Sequence, residues 1–263
     1  MANLSNDVFH PQRIYETLFF NIKPVLMYQN LSDLEAHNKP LYDQWKEIVK
    51  TTYYTENNMN VNQQEIYEEH GICYPEFTKI AAITYATLYI ENDVLKRDMK
   101  KIVDGNEWVV LSTFMSELSR ISSDGVKSNP QYFPMLCGYD ILKYDIPLLI
   151  KRFIYLRDGY EEKTQIPYIL KYVLNLKPWE SGVIDVNILW KFNGYGNRSA
   201  PLMLIADSLN LKKNQDLLSN SDASKKYWEL IVENFDEALK FISLQSAIQT
   251  NFVIQIMNKL RNL

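Results

Sequence analysis

Hydrophobic and polar positions along the chain follow two periods, one of strands and one of helices. Residues 15 to 22 carry a short run of large apolar side chains that predicts a strand, and "LFF" runs directly into Asn21, Ile22, Lys23 and Pro24. "FTKIAAITYATLYIEN" is long, β-branched and aromatic, as a central strand requires, and "VLKRDMKKIV" after it predicts the hairpin partner. Apolar spacings of three and four in "NEWVVLSTFMSELSRI", with Asp104 and Gly105 ahead of it, predict an amphipathic helix crossing the sheet. "YFPMLCGYD" predicts a short buried strand that opens into the helix "KYDIPLLIKRFIYL". Residues 31 to 50 predict a helical region interrupted by Pro40, and from 199 to 263 the periods are helical almost throughout. Residues 53 to 70 are rich in Asn, lack an apolar period and are expected to form a polar insertion. There is no internal repeat and no clear linker. The expectation is one α/β domain over residues 1–263, with a mixed sheet flanked by helices and a helical C-terminal third ending in a helix at about 246–262.

Composition narrows the function classes. At 263 residues and 46% hydrophobic content the chain can bury a sizeable core. A net charge of -4 excludes a global basic field, so a nucleic-acid role has to rest on a local patch. Cys73 and Cys137 lack CxxC or His-partner spacing and read as free core thiols of a reducing compartment. His10, His37 and His70 lie in polar segments without metal-ligand spacing and are expected at the surface. "MANLSNDVFHPQ" shows no basic-then-apolar leader pattern, and no apolar run reaches the roughly 18 residues of a membrane span. The expected location is the cytoplasm, with no membrane partner.

The chemistry gathers in a few ordered segments. These are "YPEFTKIAAI" at 74 to 83, "LCGYDILKYDIPLL" at 136 to 149, "LKPWE" at 176 to 180, "IDVNILWKF" at 184 to 192 and "KKYWE" at 225 to 229. In that order the set resembles the predicted 3'-5' exonucleases related to the proofreading domain of family B DNA polymerases, in the ribonuclease H-like superfamily. The likeness covers about residues 14 to 245.

The resemblance implies phosphodiester hydrolysis by two divalent metal ions held on converging carboxylates. In the family these are an Asp-x-Glu at the end of the first strand, an Asp in an FDIP segment, and an Asp in the last helix preceded by a water-orienting Tyr. Carried over residue by residue, the first motif falls on Asn21 and Lys23, and the FDIP aspartate is kept as Asp145 in "KYDIP". In "IVENFDEAL" the tyrosine position falls on Asn234 and the aspartate position on Ala238, while a match shifted by two would use Asp236. The family's LCGHN is LCGYD, with Tyr139 and Asp140 in place of His and Asn. Tyr139, Asp140, Lys151 and Arg152 are the candidate nucleic-acid contacts.

Charge decides the expectation. The family's cluster supplies about -4 against two divalent cations, whereas Asp145 with Lys23 supplies about zero. The chain is therefore expected to be a catalytically inactive, metal-free exonuclease-like domain that needs no cofactor. It would bind single-stranded DNA, another nucleic acid or a protein partner in DNA replication, repair or a phage-related process. Two other readings stay open: an active exonuclease using Mg²⁺ or Mn²⁺ at an atypical site, and a purely structural or assembly protein. Two placements of Lys23 also stay open, paired with Asp145 in the space of a metal or snorkelled to solvent.

Overall fold

The computed structural model describes residues 11–53, 62–128, 135–160, 165–175, 182–191, 199–211 and 216–261. Its five described strands are β1 (Thr17–Leu26), β2 (Thr78–Glu91), β3 (Val94–Val103), β4 (Met135–Gly138) and β5 (Val183–Asp185). They form one mixed sheet in the order β3-β2-β1-β4-β5. The β1–β2 and β2–β3 pairs are antiparallel, and the β1–β4 and β4–β5 pairs are parallel. The hairpin between β2 and β3 closes on Asn92 and Asp93, both in the left-handed region at φ 51° and 59°. Asn and Asp tolerate that region best after Gly, and two successive left-handed residues match the strand twist.

The described helices are α1 (Leu31–His37), α2 (Lys39–Thr52), α3 (Gln63–His70), α4 (Glu107–Ser128), α5 (Ile146–Arg157), α6 (Tyr168–Asn175), α7 (Val186–Trp190), α8 (Leu202–Ser208), α9 (Asn220–Glu233) and α10 (Phe235–Arg261). None is long and apolar enough to cross a membrane. Strand alternation puts a helical layer on each face of β1. Leu18, Phe20 and Ile22 pack with Val110, Phe114 and Leu149 of α4 and α5. On the other face Phe19 joins a core with Phe252 and Ile256 of α10, and Val25 packs on Tyr227 of α9 and on Ala238 and Ile242 of α10.

Four expectations are corrected here. β1 continues to Leu26 rather than stopping at Ile22, because the buried side chains of Asn21 and Lys23 find hydrogen-bond partners in Ser246 and Asn220, and Pro24 sits where the β1–β2 register shifts. A proline has no N–H for the ladder, and a bulge is where a strand tolerates it. The polar stretch 53–70 is in part helical. Residues 54–61 lie outside the described ones, but Asn62 caps α3 by accepting the Gln64 and Glu65 N–H groups, and Ile66 and Tyr67 are buried, with Tyr67 edge-on to Trp45. The terminal helix begins at Phe235 instead of about 246, since the Asn234 side chain accepts from the Asp236 and Glu237 N–H groups and starts it there. Cys137 is buried in β4 as expected of a core thiol, whereas Cys73 is exposed and lines a cleft.

Candidate functional site

The parallel strands β1, β4 and β5 end on the same edge of the sheet, where chain reversals leave room for a ligand. Gly138 ends β4 because a Cβ there would stand 2.9 Å from the Phe20 carbonyl oxygen of the neighbouring strand. The chain then turns through Asp140, left-handed at φ 55°, into a single π turn, Ile141–Asp145, and on into α5. Asp185 at the end of β5 holds this turn, accepting from the Asp140 N–H at 3.2 Å, the Leu142 N–H at 3.2 Å and the Asn187 N–H at 3.0 Å. Asn187 Nδ2 in turn donates to Asp140 Oδ1 at 2.5 Å. Asp140 is thus explained by backbone conformation, since it supplies the short polar side chain that a left-handed residue favours.

Beside this turn opens a cleft of about 650 Å³. Lys23, Tyr139, Asp140 and Asp145 all line it. Two phenols brace its walls, the Tyr139 hydroxyl donating to the Ala200 carbonyl at 2.6 Å and the Tyr144 hydroxyl to the Ile72 carbonyl at 2.5 Å. The first turn of α9 closes the opposite side with Ser219, Asn220 and Ser221. That helix is fixed to the end of β1 by two bonds. The Leu26 N–H donates to Ser224 Oγ at 2.9 Å, and Trp228 Nε1 donates to the Leu26 carbonyl at 3.0 Å.

Lys23 takes neither of its two expected placements. It is buried, at 1% exposure, so it does not snorkel. Its ammonium donates to Asn220 Oδ1 at 3.0 Å and, among the described residues, makes no ion pair within 4.0 Å, with Asp145 or any other carboxylate. Burial lowers its pKa to about 8, a shift that the nearby Asp145 partly opposes. Asp145 is buried too and accepts the Ile22 N–H in one long bond of 3.4 Å. Burial pushes its carboxyl well above the usual carboxylate range, against the Ile22 N–H and Lys23, which favour the anion; Asp185 and Asp140 add to the rise. Two divalent cations do not fit this donor set: Lys23 brings an ammonium, Asp145 a carboxyl that burial biases toward its neutral form, Asp140 a carboxylate already held by Asn187, and Glu69 is, among the described residues, the one further carboxylate of the cleft lining.

The remaining candidates divide. Asn21 lies on the same face of β1 as Lys23 and accepts Ser246 Oγ of α10 at 3.3 Å. Asn234 and Ala238 are not brought to the cleft. Asn234 sits at the α9–α10 junction as a helix cap, Asp236 is exposed beside it, and Ala238 is buried among Val25, Ala81 and Tyr227. Arg152 has no free guanidinium for a backbone phosphate. It is buried on the opposite layer and forks onto Glu107, with Nε–Oε1 at 2.8 Å and a second bond to Oε2 at 2.6 Å. Lys151 is exposed and pairs with Glu76 at 3.2 Å. "LKPWE" lies outside the described residues, and α8 starts at Leu202 without a side-chain cap. Asn220, Ser246 and Asp185 were missed by sequence reasoning. Only Ser219 and Asp222, spaced as a helix start in "SNSDASKKYWE", carried a readable signal.

A stability change with pH follows from Lys23. Its folded pKa of about 8 lies below the unfolded value of 10.5, so between those values the unfolded chain holds a proton the folded chain has lost. Stability from this group therefore rises with pH across that window, and below it the full burial cost, about 3 kcal/mol, is present. Lys23→Met is expected to be no less stable than the parent at pH 7 despite losing the Asn220 bond. Its advantage should shrink between pH 8 and 10, as urea melts of both proteins at the two pH values would report. A variant destabilised equally at both would mean that the ammonium is well solvated.

In comparisons with known proteins, no protein-family model matches the chain and no curated protein matches it.

Proposed function

We propose that the chain is an exonuclease-type domain of the ribonuclease H-like class that has lost metal-dependent cleavage and retains its cleft for binding nucleic acid, in DNA replication, repair or a phage-related process. One observation carries the reading. A buried ammonium, Lys23, stands in the C-terminal half of the central strand, where the resemblance calls for a metal-binding carboxylate, in the same cleft as Asp145. The mixed sheet with a helical layer on each face and the helical C-terminal part supports the fold side of the proposal. Asn21 and Lys23 supply no negative charge, Asp140 and Asp185 are engaged in holding the turn, and Glu69, a further carboxylate of the cleft lining, is exposed.

Single-strand binding measured against salt, together with a nuclease assay in Mn²⁺, tests this. The expected result is binding whose log affinity falls with log salt, as phosphate contacts require, and no loss of labelled strand. Mn²⁺ at millimolar concentration should leave the thermal midpoint unchanged, since a metal held only by the folded state would raise it by mass action. Metal-dependent shortening of the strand from its 3' end would overturn the reading in favour of an active enzyme. Absence of salt-dependent binding would favour a protein partner.

A further inference from the structure

The ammonium of Lys23 has donors left over. An ammonium carries three N–H groups, and among the described residues its one hydrogen-bond acceptor is Asn220 Oδ1. It is nevertheless buried, and it lines the 650 Å³ cleft. A buried donor without an acceptor is costly, more so when charged, so two N–H groups left over on a desolvated cation favour an oxyanion beside them.

We propose that the cleft holds the phosphate of a nucleoside phosphate on the Lys23 ammonium without any divalent metal, the nucleoside part resting on the nucleic-acid reading above. The surroundings fit such a ligand. The N-terminal turn of α9, a 14-residue helix, faces the same space with Asn220 and Ser221, and N–H groups of a first turn lack intrahelical acceptors. Asp145 meets an incoming anion with a carboxyl that burial biases toward its protonated, donating form, and Asp140 has one oxygen already taken by Asn187. Lys143 and Glu69 at the cleft are both exposed and offset one another in charge, which leaves Lys23 as the cation that meets the phosphate. Ile72, Leu202, Met203 and Leu218, with the rings of Tyr139 and Tyr144, offer apolar walls to a flat base.

Calorimetric titration in EDTA, using inorganic phosphate, a nucleoside 5'-monophosphate and a short single-stranded oligonucleotide as probes, tests the proposal. The monophosphate is expected to bind the parent more tightly than inorganic phosphate does, with an affinity that added Mn²⁺ leaves within about twofold. Lys23→Met should weaken it by about tenfold or more, and Lys23→Arg should keep part of the affinity. Met203→Trp, which narrows the cleft at its apolar wall, should weaken it as well. Displacement of the monophosphate by the oligonucleotide assigns the phosphate to a strand, and failure to displace assigns it to a free nucleotide. Equal affinity of parent and Lys23→Met, binding only with Mn²⁺, or no binding by the parent would each overturn the proposal, the last leaving water as the acceptor. Strand binding that survives Lys23→Met overturns this inference and leaves the nucleic-acid reading standing. Nucleotide binding in EDTA by a parent that binds no strand overturns that reading alone.

Discussion

Asn21→Asp combined with Lys23→Glu is expected to lower stability by about 4 kcal/mol or more in chelator and to recover part of that loss in millimolar Mn²⁺. The two positions are 2% and 1% exposed, on one face of β1, and the change replaces an amide and an ammonium by carboxylates beside Asp145. Burial and mutual repulsion raise all three pKa values. Each introduced carboxylate must either stay ionised in a dry site or take up a proton at neutral pH, and either costs several kcal/mol, less whatever Ser246 returns by donating to residue 21. A divalent cation offsets that repulsion and binds only the folded chain, so the midpoint should climb with Mn²⁺ concentration in the variant and stay level in the parent. Ala238→Asp is left out of the rebuilt cluster, because Ala238 packs among apolar side chains and a charge there would find no partner. A folded double variant indifferent to Mn²⁺ would mean that residues 21, 23 and 145 do not converge on one point.

Arg152→Met is expected to cost about 3–5 kcal/mol, with no change in anything the cleft binds. Arg152 and Glu107 have side chains only 6% and 9% exposed, and Glu107 Oε1 also accepts the Ile80 N–H at 2.7 Å, which ties α4 and α5 to the central strands. Removing the guanidinium leaves a carboxylate desolvated and unpaired. Adding Glu107→Gln should return part of the loss, because the neutral amide keeps an acceptor for Ile80 and needs no counter-charge. Urea melts of the parent, both single variants and the double variant close the cycle. Strictly additive effects would mean that the pair is not coupled. Single-strand affinity in the folded variant should match the parent, since Arg152 lies on the layer opposite the cleft; a large fall would return Arg152 to the nucleic-acid contacts.

Much of the architecture was legible as periodicity, because apolar spacing is a local property that burial on one face or two faces imposes directly. The β2–β3 hairpin, the crossing helix α4 and the strand β4 opening into α5 all lie where alternation or three-and-four spacing predicted them. Helix caps were local too, yet Asn62 read as part of a polar insertion and Asn234 as a position inside a helical stretch; each instead sets a helix start that the apolar period did not mark. The sequence also determined that an amide and an ammonium, Asn21 and Lys23, follow the apolar run that opens β1. What surrounds them was decided only by tertiary structure. Whether a lysine snorkels, pairs or stays buried depends on which chains close over it, and here α9 and α10, some two hundred residues away in sequence, bring Asn220 to Lys23 and Ser246 to Asn21. The same holds for Arg152, which reads as a solvent-facing cation on its own helix and becomes a buried ion pair once α4 supplies Glu107. Side-chain charge is written in sequence, but its solvation and its partners are set by long-range packing, which no local pattern encodes.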